Sequence, residues 1–166
     1  TGESNTAFGY QALDANTTGG SNVAMGRDAL VSGTTADFNV GIGHSAGAFA
    51  TTAAASCFVG RAAAQGITGA KLTGNNNTCL GSTAGFLLQG AANGNTLVGS
   101  SCGQALTTAT DNCFIGVSAG SNITTGSGNI VIGNSDGEAA GASHQIIMGN
   151  SVNGVGQDDF TFGRGG

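Results

Sequence analysis

The stretch Asn112-Cys113-Phe114-Ile115-Gly116 recurs along the chain as an Asn, three mostly apolar residues and a Gly. Aligning the copies on their last residue gives Gly9, Gly26, Gly43, Gly60, Gly81, Gly99, Gly116, Gly133, Gly149 and Gly163. Most neighbouring copies are 17 residues apart. A period this regular is the signature of a solenoid in which each repeat forms one turn. The sequence therefore predicts an all-β, parallel β-solenoid (β-roll or β-helix) of about ten 17-residue turns.

Two adjacent columns before the repeat glycine are apolar. Directly before it stand Phe8, Met25, Ile42, Val59, Leu80, Val98, Ile115, Ile132, Met148 and Phe162. One position earlier stand Ala7, Ala24, Gly41, Phe58, Cys79, Leu97, Phe114, Val131, Ile147 and Thr161. Because neighbouring side chains of a strand point to opposite faces, one column fills the interior and the other stays outside. An exposed apolar stripe along a rod favours association. We therefore expect closed cyclic association of identical chains, as a homotrimer.

Two further columns indicate how the turns stack. The position three after the glycine is small, which suggests a second short strand on a closely approaching wall: Ala12, Ala29, Ala46, Ala63, Ala84, Cys102 and Ala119. The Asn that opens most repeats predicts a stacked amide ladder at a bend, with each side chain bonding its neighbours above and below. The ladder residues are Asn5, Asn22, Asn39, Asn77, Asn95, Asn112 and Asn129.

Composition narrows the classes of partner. The chain has 166 residues, 32 glycines, no proline, 8% charged residues and a formal net charge of −5, so it offers no basic patch for nucleic acid or anionic lipid. No apolar run is long enough to insert into a membrane. Cys57, Cys79, Cys102 and Cys113 fall mostly in different columns and include no CxxC pair, which predicts buried free thiols. Since the start is neither a signal peptide nor an initiator methionine, we expect a piece of a longer protein.

The repeat predicts a single domain over residues 1–166. Regular turns occupy residues 1–137, and the spacing then shortens, so residues 138–166 are expected to form tapering turns that lead towards another domain. Between Gly60 and Gly81 the repeat is four residues longer and contains Lys71, the only lysine. Insertions in solenoids emerge as surface loops, which makes Lys71 a candidate for contact with a receptor.

The first turns resemble a known family. The run Asn5-Thr-Ala-Phe-Gly-Tyr-Gln-Ala-Leu13, with Thr17-Thr-Gly19 and Ser21-Asn-Val-Ala-Met-Gly26 after it, resembles the repeats of trimeric bacteriophage tail fibres. It is related in pattern to the head β-rolls of trimeric autotransporter adhesins. The end, Asp159-Phe-Thr-Phe-Gly-Arg164, resembles the fibre segment that precedes a self-cleaving intramolecular chaperone. The resemblance implies a virion tail protein that attaches to a host-surface glycan or protein. The alternatives are a bacterial surface adhesin and a purely structural filament.

We expect no enzyme activity, cofactor or metal. Glycan-cutting tailspikes with related architectures use two carboxyl groups about 5 to 9.5 Å apart. The acids here are scattered over Asp14, Asp28, Asp37 and Asp111, and the close pairs Asp136–Glu138 and Asp158–Asp159 lie near the end of the chain. The two histidines, His44 and His144, are too far apart in the repeat to share one metal.

One column suggests a binding site. Immediately after four consecutive repeat glycines stand Tyr10, Arg27, His44 and Arg61. Stacked at the strand spacing, they would form a ridge of aromatic and cationic groups for an acidic or sugar-bearing receptor. A solvated outer face or a polar seam between chains is the alternative.

Recurring threonine pairs suggest a remote alternative, an ice-binding solenoid. The pairs are Thr17-Thr18, Thr34-Thr35, Thr51-Thr52, Thr107-Thr108 and Thr124-Thr125. Ice binding requires two rows of hydroxyls facing out, whereas adjacent residues of a strand alternate in direction.

Overall fold

The computed structural model describes residues 2–137, 139–152, 158 and 160–164. These residues form one sheet of ten parallel strands, in which each strand pairs with the next along the chain. The strands are β1 (Thr6–Phe8), β2 (Val23–Met25), β3 (Val40–Ile42), β4 (Cys57–Val59), β5 (Thr78–Leu80), β6 (Thr96–Val98), β7 (Cys113–Ile115), β8 (Ile130–Ile132), β9 (Ile146–Asn150) and β10 (Phe160–Arg164). The parallel β-solenoid is confirmed, with about nine turns between the ten strands rather than ten. The described part contains no helix that could cross a membrane.

The strand register follows the repeat. Phe114 pairs with Leu97 on one side and with Val131 on the other, so equivalent positions stack directly. The second residue of each strand from β2 to β9 points inward and is buried, and Phe58, Leu97 and Phe114 are fully so. The alternation predicted from the sequence therefore places one column in the core.

The predicted second strand is wrong. The small residues from Ala29 to Ala119 are buried as expected, but they lie in turns. Residues two and four after the glycine have positive φ, as Asp28 (57°) and Leu30 (49°) show, and an extended strand cannot contain them. The N–H of Asp28 donates to Tyr10 of the preceding turn, and that of Leu30 donates to Ala46 of the following turn. Alternating hydrogen bonds of this kind hold the wall together without a second sheet.

Large and small side chains alternate across the core. Near the start, Leu30 fills the space left by Gly41, where an added Cβ would lie 2.7 Å from the Leu30 Cγ. One turn later the order is reversed, since Gly47 leaves room for Phe58 and its added Cβ would lie 2.5 Å from the Phe58 ring. Gly120 makes the same room for Phe114. Because a large side chain on one wall faces a glycine on the other, the narrow core is closely packed.

The Asn column forms a continuous set of hydrogen bonds. The Oδ1 of Asn112 accepts from the backbone N–H of Asn129 at 2.9 Å and from its side-chain amide at 3.1 Å. The Nδ2 of Asn112 donates to the Oδ1 of Asn95 and to the carbonyl of Gly126. Except at the half-buried first member, Asn5, these amides are buried. Ser56 takes the place of Asn in the fourth turn, where its Oγ accepts from the N–H of Asn77. The column satisfies polar groups that burial would otherwise leave unpaired.

The repeat glycines stack with almost no space between turns. From Gly9 to Gly149 their φ values lie between +112° and +144°, where residues with a Cβ are strained. A Cβ added to Gly116 would lie only 2.6 Å from the carbonyl oxygen of Gly133 in the next turn. Glycine is therefore required both by the backbone angle and by the close approach of the next turn.

We expect Gly116→Ala to lower the free energy of unfolding by about 3 kcal/mol, through backbone strain and overpacking against Gly133. Gly69→Ala is the matched control, because Gly69 has no atom within 4 Å of an added Cβ. Guanidinium unfolding of the two variants and the parent checks the prediction. Equal losses in both variants would contradict it.

Candidate functional site

The outward residues of the strands form an apolar band that we call the outer stripe. It comprises the first and third residues of each strand, among them Val23, Met25, Val40, Ile42, Val59, Leu80, Val98, Ile115, Ile130 and Ile132. Stacking between turns covers these side chains only in part, and Ile42 and Ile115 remain 37% and 41% exposed. At the two ends, Phe8 and Phe162 are each 74% exposed. At one strand spacing per turn, the stripe is about 43 Å long.

The four cysteines differ in burial. All four are free thiols, but only Cys79 and Cys102 are fully buried. Cys57 on β4 and Cys113 on β7 are half-buried, because the first residue of each strand faces outward. The expectation of four buried thiols is therefore wrong for these two, which belong to the outer stripe.

Burial suppresses ionisation of the inner thiols. It raises the pKa of Cys102 to about 12, and the pKa of Cys79 is raised further for the same reason. The Cys102 Sγ lies 3.3 Å from the carbonyl oxygen of Phe114 and donates to it. Both thiols therefore act as small apolar core residues in the neutral form.

The column after the repeat glycine forms a ridge beside the outer stripe. Its first four members are Tyr10, Arg27, His44 and Arg61, which we call the cationic ridge. Their carbonyl oxygens accept backbone N–H groups of the following turn at 2.8–2.9 Å, which keeps the four residues in register. All four side chains are exposed. The next five members of the column are uncharged, and the last member is an arginine: Ser82, Ser100, Val117, Asn134, Asn150 and then Arg164.

One carboxylate lies within the ridge. The Oδ2 of Asp28 accepts from the Nε of Arg27 at 3.1 Å and lies 4.0 Å from the Nε2 of His44. The Asp28 side chain is only 19% exposed, whereas that of Arg27 is 65% exposed. Among the described residues, no carboxylate forms an ion pair with Arg61. The ridge therefore presents guanidinium groups to solvent, with its one acid set further back.

Lys71 lies on another part of the turn. It is exposed, and its neighbour Leu72 bridges Ala50 and Gly90 rather than a member of the ridge. The inserted residues before it form a small bridge between Ile67 and Ala70. Sequence alone did not indicate this separation, because the insertion shifts the local register.

Several acids accept structural hydrogen bonds. Asp37 accepts the backbone N–H of Gly20 at 2.6 Å, and Asp136 accepts both the N–H and the hydroxyl of Ser121. The Oδ1 of Asp158 lies 3.4 Å from the Nδ1 of His144. Glu138 and Asp159, the second members of the two close acid pairs, lie outside the described residues. Within the described part, no three potential ligands are grouped to hold a metal ion.

The threonine pairs expose one row. The hydroxyl of Thr17 donates to the carbonyl of Thr34, and that of Thr107 donates to the carbonyl of Thr124, at 2.9 and 3.0 Å. The second threonine of each pair is exposed, at Thr18, Thr35, Thr52, Thr108 and Thr125. Since the first row is engaged between turns, the face does not present two equivalent free rows.

The chain matches no protein-family model, and no curated protein or solved structure is significantly similar to it. Assignment of a function therefore depends on the repeat pattern and on the two outward features, the outer stripe and the cationic ridge.

The inner thiols predict a pH dependence of stability. Folding raises the pKa of Cys102 from about 9 to about 12. The contribution of this thiol to the free energy of unfolding is therefore fully present below pH 9 and is lost as pH rises through 12. Cys102→Ala should reduce the fall in unfolding free energy between pH 8 and pH 11. Alanine suits the site, since Ala84 and Ala119 occupy the same column. Denaturant unfolding across this range is the measurement, and parallel pH profiles of parent and variant would contradict the prediction.

Proposed function

We propose that the chain is the shaft or receptor-binding region of a homotrimeric tail fibre that attaches to a host-cell surface without catalysis. The observation that carries the proposal is the outer stripe. The described residues contain no second sheet or helix that could cover this face. An exposed apolar band about 43 Å long favours burial against other chains. The resemblance of the repeats to tail fibres supports the same assembly.

A parallel arrangement suits the stripe better than an antiparallel one. In a parallel cyclic assembly whose axis runs along the solenoid, each strand lies beside the same strand of the neighbouring chains. Each outward side chain therefore meets its own equivalent in those chains. The long rod is then stabilised along its whole length, and a shallow depression beside Ile132, Met148 and Phe162 is also covered.

The cationic ridge fits at the rim of this assembly. Around a three-fold axis, three copies of Arg27 and three of Arg61 would repel one another if they met, because Asp28, which pairs with Arg27, offsets only part of their charge. The ridge is therefore placed at the solvent side of the interface, where a receptor can reach it.

Two native thiols test the assembly. Cys57 on β4 and Cys113 on β7 are equally far from the two ends of the ten-strand sheet. In a parallel trimer, Cys57 meets Cys57 and Cys113 meets Cys113, whereas a centred antiparallel dimer pairs Cys57 with Cys113. A short bismaleimide should therefore join parent chains up to covalent trimers, and it should still join Cys113→Ala chains into dimers through Cys57.

The buried Cys79 and Cys102 should stay unlabelled in the native protein, which peptide mapping checks. The mass in solution, measured by light scattering, should be three times the chain mass of 15.9 kDa. A well-folded monomer would overturn the proposed assembly. Loss of all cross-linking in Cys113→Ala would instead indicate an antiparallel dimer.

Attachment is tested on cells. Fluorescently labelled parent protein should bind a susceptible bacterial strain, and enzymatic removal of surface glycans should abolish the binding. Ile115→Asp places a carboxylate in the outer stripe and should separate the chains, so cell binding should fall at least about 100-fold through lost avidity. Circular dichroism of the variant verifies its fold. Two results would contradict attachment through a multivalent glycan contact. One is binding of the parent to cells whose glycans have been removed, and the other is equal cell binding by Ile115→Asp and the parent.

A further inference from the structure

We propose that the cationic ridge binds a linear acidic polysaccharide that lies along the solenoid axis, with its carboxylates on Arg27 and Arg61. This inference rests on the proposed attachment function, and it specifies the chemical class of the receptor. Tyr10 at one end of the ridge packs against the apolar face of a sugar ring.

The spacing of the ridge favours an extended ligand. The four residues stand on consecutive turns, and hydrogen bonds between the turns fix their order. At about 4.8 Å per turn, Tyr10 and Arg61 are about 14 Å apart along the axis. A compact anion contacts one turn, whereas a short run of sugars spans all four.

The charge of the ridge favours carboxylates. Arg27 and Arg61 are two of only four basic residues in the sequence, and both are exposed. Asp28 accepts from the Nε of Arg27, and the Arg27 side chain is still 65% exposed, so its terminal nitrogens are available to a ligand. Guanidinium groups bind carboxylates through paired, charge-assisted hydrogen bonds.

The same features disfavour nucleic acid. Non-specific affinity for nucleic acid comes from neutralising several phosphates with Lys and Arg, and the ridge supplies only two arginines. The formal net charge of −5 repels a polyphosphate chain as it approaches. A polysaccharide with one charge per sugar, and an uncharged ring face for Tyr10, fits the ridge better.

The test uses a hexamer of galacturonic acid as the probe, with the purified assembled protein. Calorimetry should detect binding of the hexamer to the parent, and Arg27→Ala and Arg61→Ala should each weaken it about tenfold or more. Lys71→Ala is the matched control, because it also removes one exposed cation but lies away from the ridge. Its affinity should equal that of the parent. The fully methyl-esterified hexamer, which keeps the sugars and loses the charges, should not bind.

Three outcomes would overturn the inference: no binding of the hexamer, unchanged affinity in Arg61→Ala, or equal binding of the methyl-esterified hexamer. Light scattering on the same samples separates this failure from failure of the proposed function. A trimer that ignores the hexamer rejects the ridge alone, whereas a monomeric parent rejects the assembly whatever the ridge binds.

Discussion

The close stacking of backbone on backbone at the repeat glycines is the constraint on which the structure depends. At this column one turn approaches the next so closely that a single methyl group has no room, as the 2.6 Å between an added Cβ on Gly116 and the Gly133 oxygen shows. The strand before the glycine and the ridge residue after it are therefore held at a constant level in every turn. Both the outer stripe and the cationic ridge keep the same register from turn to turn because this column does.

The apolar residues of this thin coil form two sets, one buried in the core and one on the outer face. The inward column, with the small residues of the opposite wall, fills a narrow core, and the Asn column satisfies the polar groups at one of its edges. Among the described residues, no segment covers the outward side chains. The fold therefore leaves one apolar surface exposed along the sheet, and beside it a surface that carries two exposed guanidinium groups over four consecutive turns.

Much of this arrangement can be predicted from the sequence, because the repeat itself contains the register. The glycine alignment predicts the strand pairs, and alternation within three residues predicts which column is inside. The turn after the glycine is harder to predict, because its positive φ values fall on residues such as Gln11 and Leu13 rather than on glycines. The ridge was predicted from its column, whereas the pairing of Asp28 with Arg27 and the separate location of Lys71 depend on local geometry that no spacing reveals.

Large side chains and glycines alternate across the core, so the repeats differ in their packing although they share one sequence pattern. Leu30 packs against Gly41 and Gly47, and Phe58 packs against Gly47, so each bulky side chain depends on a glycine at a particular turn. If the chain slipped by one whole turn during folding, the polar columns would still match, but bulky side chains would collide and empty spaces would open. The packing of the core thus specifies which turn stacks on which, even though the repeats share one sequence pattern.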